Sequence, residues 1–489
     1  MDYLNLVSGT DIRGTAIGEN AVLTVDAACD IASAFLCKLA VERPTIAIGR
    51  DSRITGEKLA SAVMERLAKM GARVLSVGLC STPSMFMMTK LAGCDGAIML
   101  TASHHPYDKN GMKFFTPEGG ISSKELKAMT ARAGEGNFGF KAGGVIESGD
   151  YLELYCEHIR NIIKDGLGQN GLDNFKIVVD AGNGAAGFYA TRILQPLGAD
   201  VSASQFLEPD GMFPNHQPNP ENATAMASIS ARVKESGADL GIIFDTDGDR
   251  CAIVTSDGAE INRNRLIALI SAMILEKDKG AYIVTDSVTS DGLAEFIKQK
   301  GGVHVRYKRG YKNVIDYAKK LCDEGKYAPL AIETSGHAAM KENFFLDDGA
   351  YLVTLLLIRS AILKKQGKSL SDLISDLREP VESAEVRLPL IGEDWKANAD
   401  AIIEKVKSAT ENSPKFSHAP DNYEGIRVNV KESKGWFLIR KSVHDPIMPV
   451  NAESDIAGGA KGILSALCEI LVEFASVLDL APLKKYLEK

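Results

Sequence analysis

The chain has 489 residues, 45% hydrophobic and 25% charged, the balance of a soluble globular protein with length for roughly three to four domains. A net charge of −8 with no dense basic tract argues against a nucleic-acid partner. Eight cysteines without a C-x-x-C pair argue against a zinc ribbon or disulfide scaffold. No apolar run approaches a membrane span, and MDYLNLVSGT lacks a basic region ahead of an apolar core, so a cytoplasmic enzyme without a membrane partner is expected.

In chain order, one grammar recurs. TIAIGRDSR (45–53), KIVVDAGNGAAG (176–187) and AYIVTDSVTSDG (281–292) each run a short β-branched stretch into an Asp, then small residues. Helices are predicted to follow over Gly56–Lys69, Gly187–Leu197 and Gly292–Lys300, with further strands at 72–78 and 303–307. Strands alternating with helices mean βαβ units and a mostly parallel sheet. The last hundred residues differ. A helix over 398–410 precedes two alternating runs, EGIRVNVKES and KGWFLIRKS, that pair as a hairpin across Glu432–Gly435, and a long helix over about Gly458–Leu478 closes the chain. The stretch DLREPVES (377–383), with Pro380, reads as a linker. The expected architecture is α/β: three related α/β domains, 1–149, 150–262 and 263–378, plus a C-terminal α+β domain, 379–489.

Four stretches carry candidate chemistry. TASHHPYDKNGMK (101–113) follows the strand-like GAIML, where functional residues of parallel α/β domains collect. Ser103 needs a base or charge-stabilising partner to react, and His104 and Lys113 supply candidates. Asn110-Gly111 is a turn dipeptide that would fold Lys113 back towards the strand end. An ordinary polar loop with solvated histidines fits the same residues.

LGIIFDTDGDR (240–250) ends a buried-strand run in Asp245, Asp247 and Asp249. Alternate carboxylates on an extended segment point the same way, and three such charges call for a cation between them. Oxygen ligands suit Mg²⁺ better than zinc, Gly248 lets the chain bend round the ion, and Arg250 adds a phosphate-facing cation. A calcium EF-hand is excluded, because its glycine and its twelfth-position glutamate are both misplaced. ETSGHAAMKEN (333–343) offers a carboxylate, hydroxyls and an imidazole of the kind that read sugar hydroxyls. RKSVHDP (440–446) offers Arg440, Ser442 and His444 for a phosphate. Taken alone, the first reads rather as a polar helix-capping turn, and the second fits a plain surface turn as well. Together the four describe phosphoryl transfer on a sugar phosphate.

The chain resembles the α-D-phosphohexomutase family over essentially its whole length. GTDIRG (9–14) is similar to the family's N-terminal signature and TPS (82–84) to its P-T-P segment. TASHHPYDKNGMK resembles T-A-S-H-N-P-x-x-x-N-G-x-K, and DTDGDR matches D-x-D-G-D-R. ETSGH resembles G-E-x-S-G-H, and RKSVHDP resembles R-x-S-G-T-E-P. The resemblance implies four domains around a central cleft, the first with the catalytic serine loop, then those with the metal, sugar-binding and phosphate-binding loops. It implies that Ser103 carries the phosphoryl group and that Mg²⁺ is held by Asp245, Asp247, Asp249 and a phosphoserine oxygen. Arg13, His104, Lys113 and Arg250 would serve the reacting group, with His104 and Lys113 the acid/base pair. Glu333 and Ser335, with His337 nearby, would read sugar hydroxyls, and Arg440, Ser442 and His444 would clamp the other phosphate.

The implied reaction moves a phosphoryl group between the 1- and 6-positions of a glucose or mannose phosphate through a bisphosphosugar, with glucose 1,6-bisphosphate as activator. Glucosamine phosphate is the alternative substrate. His105 replaces the family's Asn, Val443, His444 and Asp445 its Gly-Thr-Glu, and Thr334 its Met or Gln. A haloacid-dehalogenase-like phosphatase, with Asp245 as nucleophile and LDD (346–348) as its later acidic pair, and a non-catalytic sugar-phosphate-binding relative are the competing readings.

Overall fold

The computed structural model describes residues 2–169, 171–420, 422–442 and 445–488. Its contacts divide the chain into two compact units, Met1–Leu266 with Ser335–Leu373, and Ile267–Thr334 with Ile374–Lys489.

The first unit opens with a sheet of β1 (Asp11–Thr15), β2 (Thr45–Arg50), β3 (Arg73–Leu79), β4 (Gly96–Leu100), β5 (Lys109–Thr116) and β6 (Val145–Ser148), in the order β1-β5-β4-β2-β3-β6. From β4 to β6 the pairing is parallel, as the βαβ grammar requires. Helix α1 (Val25–Leu39) is capped by the Thr24 side chain and packs against the helices at Gly56–Lys69 and Ser123–Gly134. Its Ala27, Ala28, Ile31, Ala32 and Phe35 are buried in the core.

The sheet is not parallel throughout, because β5 runs antiparallel to both β4 and β1. Only residues 101–108 join β4 to β5, too short for the crossover a parallel partner needs. The expected Asn110-Gly111 turn is therefore strand, with Gly111 opposite Arg13 and Lys113 opposite Met99. A Cβ on Gly111 would lie 2.2 Å from the Ile12 carbonyl oxygen and 2.6 Å from that of Thr101, so close approach explains this glycine.

Beyond it, β7 (Ile177–Asp180) lies parallel to β8 (Leu240–Phe244), and β8 is antiparallel to β9 (Cys251–Thr255). The helix predicted over Gly187–Leu197 is a π-helical turn, Tyr189–Leu194, followed by a 3₁₀ turn, Gln195–Leu197. Pro196 has no N–H to give to Arg192, whose carbonyl accepts from Arg160 at 2.7 Å instead.

In the second unit, β10 (Tyr282–Thr285) lies parallel to β11 (Val303–Arg306) and to β12 (Leu330–Ile332). An antiparallel sheet follows: β13 (Glu382–Pro389), β14 (Phe416–His418), β15 (Ile426–Val430), β16 (Gly435–Ile439) and β17 (Ile447–Ser454), in the order β13-β17-β16-β15-β14. The predicted hairpin is present, with Val430 paired to Gly435. The predicted closing helix is shorter than expected, Gly459–Leu471, because the chain at 477–479 turns to pair with 389–391 instead. No helix among the described residues is long and apolar enough to cross a membrane.

Arg427 is buried in this sheet with its guanidinium 3.4 Å from the centre of the Trp436 ring, and the Trp436 N–H donates to Glu453 at 3.1 Å. Burial, against the pull of Arg427, raises the Glu453 carboxyl to about 7. A carboxyl whose folded value is raised stabilises the protein below its unfolded value and loses that contribution as pH rises through about 7. The melting temperature of wild type relative to Glu453→Gln should therefore fall between pH 5 and pH 8; a constant difference would contradict the assignment.

Candidate active site

The first unit brings together Arg13, Ser103, His104, Lys113, Asp245, Asp247, Asp249, Arg250 and His337. Ser103 follows β4 and the aspartates follow β8, at the carboxyl ends of strands. Ser103 is buried at φ +48°, a left-handed conformation rare for serine. Its hydroxyl donates to Asp245 Oδ2 at 3.0 Å, with Arg250 Nη2 at 3.4 Å and His104 Nδ1 at 3.5 Å. Arg13 donates to the Thr101 carbonyl at 2.9 Å and pairs with Asp11 at 2.7 Å.

The three carboxylates converge differently from the extended segment expected. Residues 245–250 close the β8–β9 hairpin, and Gly248 at φ +72° turns the chain. The Arg250 N–H donates to Asp245 Oδ1 at 3.2 Å. One oxygen from each of Asp245, Asp247 and Asp249 falls within 4.8 Å of the others. Lys113 Nζ lies 3.0 Å from Asp247 and also binds Asp249, and Arg250 Nε lies 3.0 Å from Asp245. Asp247 Oδ1 and Asp249 Oδ1 are nevertheless buried without a hydrogen-bond partner. Such orphaned carboxylate oxygens are what a hard divalent cation would satisfy.

The charges divide sharply. Burial and the neighbouring Asp249 raise the Asp245 carboxyl, whereas Lys113, His337 and Arg250 together outweigh burial and hold Asp249 below the usual range. Lys113 itself is raised, since Asp247 and Asp249 overcome its burial. Burial, then Arg250 and His105, lower His104 to about 2, leaving a neutral imidazole at physiological pH. His337 is raised to about 9, because Asp347 and Asp249 outweigh burial. Asp249, His337 and Asp347 lie close enough to share an ion, and His337 pairs with Asp347. The Ser335 hydroxyl is buried without a hydrogen-bond partner.

Glu333, Arg440 and Ser442 belong to the second unit. Glu333 accepts from the Gly310 N–H at 2.6 Å, and Thr334 donates to Asp286 at 2.8 Å. Arg440 Nε is buried without a partner, and Glu424 is the foremost carboxylate acting on it, followed by Asp286 and Glu385. Glu424 accepts from Ser287 and from the Arg309 N–H at 2.9 Å. Ser442 accepts from the Asp445 N–H at 3.3 Å. His444 and Val443 lie outside the described residues.

Several contributors escaped the sequence reading. Thr82 donates to Asp247, Asp51 accepts from Thr101 at 2.6 Å, and Asp347 holds His337. The TPS segment and the GRDSR of the repeat were visible signals for the first two. The acidic pair of a haloacid-dehalogenase-like site has other work here. Asp347 binds His337, while Asp348 caps the helix Gly349–Lys365 and accepts from the Tyr155 hydroxyl at 2.7 Å. The ring of His105 stacks on His104.

Fold and cluster define an α/β protein with an acidic site suited to a metal ion. Three family models match the chain: "Phosphoglucomutase/phosphomannomutase, alpha/beta/alpha domain I" over residues 5–137, domain II over 153–258 and domain III over 262–381. A phosphomannomutase/phosphoglucomutase of Pseudomonas aeruginosa is 32% identical across 91% of this chain and 90% of its own. A phosphoglucomutase of Neisseria meningitidis is 30% identical across 96% of both. A phosphoglucomutase/phosphomannomutase family protein of Burkholderia thailandensis superposes with a TM-score of 0.81 at 29% identity, over 97% of this chain and 98% of that one. The chain belongs to the phosphoglucomutase/phosphomannomutase family, the α-D-phosphohexomutases.

Asp247→Asn should weaken divalent-cation binding by about tenfold or more while leaving melting behaviour near wild type. Titration calorimetry checks this, and unchanged affinity would remove the cluster from metal binding.

Proposed function

We propose that this protein is a phosphohexomutase that reversibly moves a phosphoryl group between the 1- and 6-positions of glucose or mannose phosphate. The observation that carries this reading is the Ser103 hydroxyl lying against Asp245 beside two orphaned carboxylate oxygens. Relatives named phosphomannomutase/phosphoglucomutase over nine-tenths of the chain support it.

In this reading Ser103 carries the phosphoryl group. Its P–Oγ bond breaks as a new P–O bond forms to the free hydroxyl of the sugar phosphate. That hydroxyl's proton passes to a base, and a proton returns to Oγ. The resulting bisphosphosugar turns over and gives its other phosphate to Ser103. His104, 3.5 Å from Oγ, and Lys113 handle the protons, while Arg13 and Arg250 offset charge on the migrating group. Asp245, Asp247 and Asp249, with a phosphoserine oxygen, would hold Mg²⁺, which when bound supplies positive charge against the phosphoryl oxygens. Glu333, Ser335 and His337 read sugar hydroxyls, Arg440, Ser442 and His444 hold the non-reacting phosphate, and glucose 1,6-bisphosphate primes the serine.

Ser103→Ala should lower turnover by on the order of 10³-fold or more with no change in melting. Wild-type protein given Mg²⁺, a bisphosphate primer and the 1-phosphates of glucose, mannose and glucosamine should convert the first two. Conversion of none of them would overturn the reading, and turnover of glucosamine phosphate alone would reassign the substrate.

A further inference from the structure

The repeat stretch TIAIGRDSR contributes Arg53, which the phosphoryl-transfer reading leaves without a role. Arg53 is 1% exposed. Its Nη1 donates to the carbonyls of Pro106 at 2.7 Å and Lys109 at 2.8 Å, and its Nη2 to those of Ser103 at 2.5 Å and His105 at 2.6 Å. Three of the acceptors lie on the loop that carries Ser103, and the fourth, Lys109, opens β5 directly after it. The guanidinium is itself fixed. Asp51 Oδ2 lies 3.3 Å from Nε, Asp51 Oδ1 accepts from the Arg53 N–H at 2.9 Å, and the Phe213 ring covers it at 5.4 Å. The same Asp51 accepts from Thr101, whose hydroxyl in turn accepts from the Ser103 N–H at 2.9 Å.

We infer that Arg53 is the positioning residue for the phosphoryl-carrying serine. It acts through the loop backbone and does not touch the substrate. A non-glycine residue at φ +48° is strained, and such a conformation persists only where the surroundings over-determine it. The guanidinium fork does this by gripping the Ser103 carbonyl, while the Ser103 hydroxyl donates to Asp245. It also draws four carbonyl oxygens inward, so their partial negative charges are compensated away from the group that Ser103 would carry. A lysine offers three donors from one point and cannot reproduce a planar fork on four carbonyls. The inference rests on Ser103 being the phosphoryl carrier.

The test compares full-length wild type, Arg53→Lys and Asp51→Asn. Each is assayed for glucose 1-phosphate turnover, for divalent-cation affinity, and for amide hydrogen exchange across residues 103–109. Arg53→Lys should lower kcat at least thirtyfold with KM within threefold, leave cation affinity near wild type, and speed exchange only in that loop. Asp51→Asn, which keeps the fork but loosens its anchor, should give a smaller loss of the same kind and carries the test should Arg53→Lys not fold. Wild-type kcat and loop exchange in a folded variant would overturn the inference, as would equal losses in kcat and cation affinity. Absence of turnover in the wild type would instead overturn the mutase reading, and the loop exchange would still report on Arg53.

Discussion

Three aspartates shielded from water in one hairpin loop are the constraint on which the rest of the site depends. Like charges in a low-dielectric interior are strongly unfavourable unless cations and hydrogen bonds answer them. Here Lys113 answers Asp247 and Asp249, Arg250 answers Asp245, and Thr82 adds a hydrogen bond to Asp247. Two carboxylate oxygens still lack a hydrogen bond. The arrangement is therefore anionic in reserve, and that reserve borders the Ser103 hydroxyl.

Strand register brings these groups into place. The short connection after β4 forces β5 to return antiparallel, and the pairing of Met99 with Lys113 carries the lysine back to the aspartates. The neighbouring pairing of Arg13 with Gly111 requires a residue without Cβ, so backbone packing and site geometry share one glycine. On the other side, the β8–β9 hairpin holds its loop by the Phe244–Cys251 pairing and by hydrogen bonds from Arg250 back to Asp245. The chemistry thus stands on loops whose ends are fixed by paired strands.

Much of this was legible in the sequence. The repeated strand–Asp–glycine pattern marked α/β units, and the DTDGDR and TASHH stretches marked the residues the structure gathers. Legibility failed where conformation depends on a partner far along the chain. Asn110-Gly111 has turn chemistry, yet pairing on both flanks makes it strand. The aspartates alternate as if extended, yet Gly248 and the hairpin bend them together. Pro196 stood in plain view inside a predicted helix, but the Arg160 side chain that takes over the Arg192 carbonyl could not be seen. Arg53 sits within a strand-to-helix motif, and nothing local shows that its four acceptors lie some fifty residues later.

The most direct measurement of the central claim is to locate the covalent phosphate after the protein is incubated with glucose 1,6-bisphosphate and Mg²⁺, quenched and digested. The account expects an acid-stable phosphoserine at Ser103 that disappears on chasing with excess hexose 6-phosphate. A hydroxylamine-labile phosphate on Asp245, or no covalent phosphate in protein that turns substrate over, would contradict it.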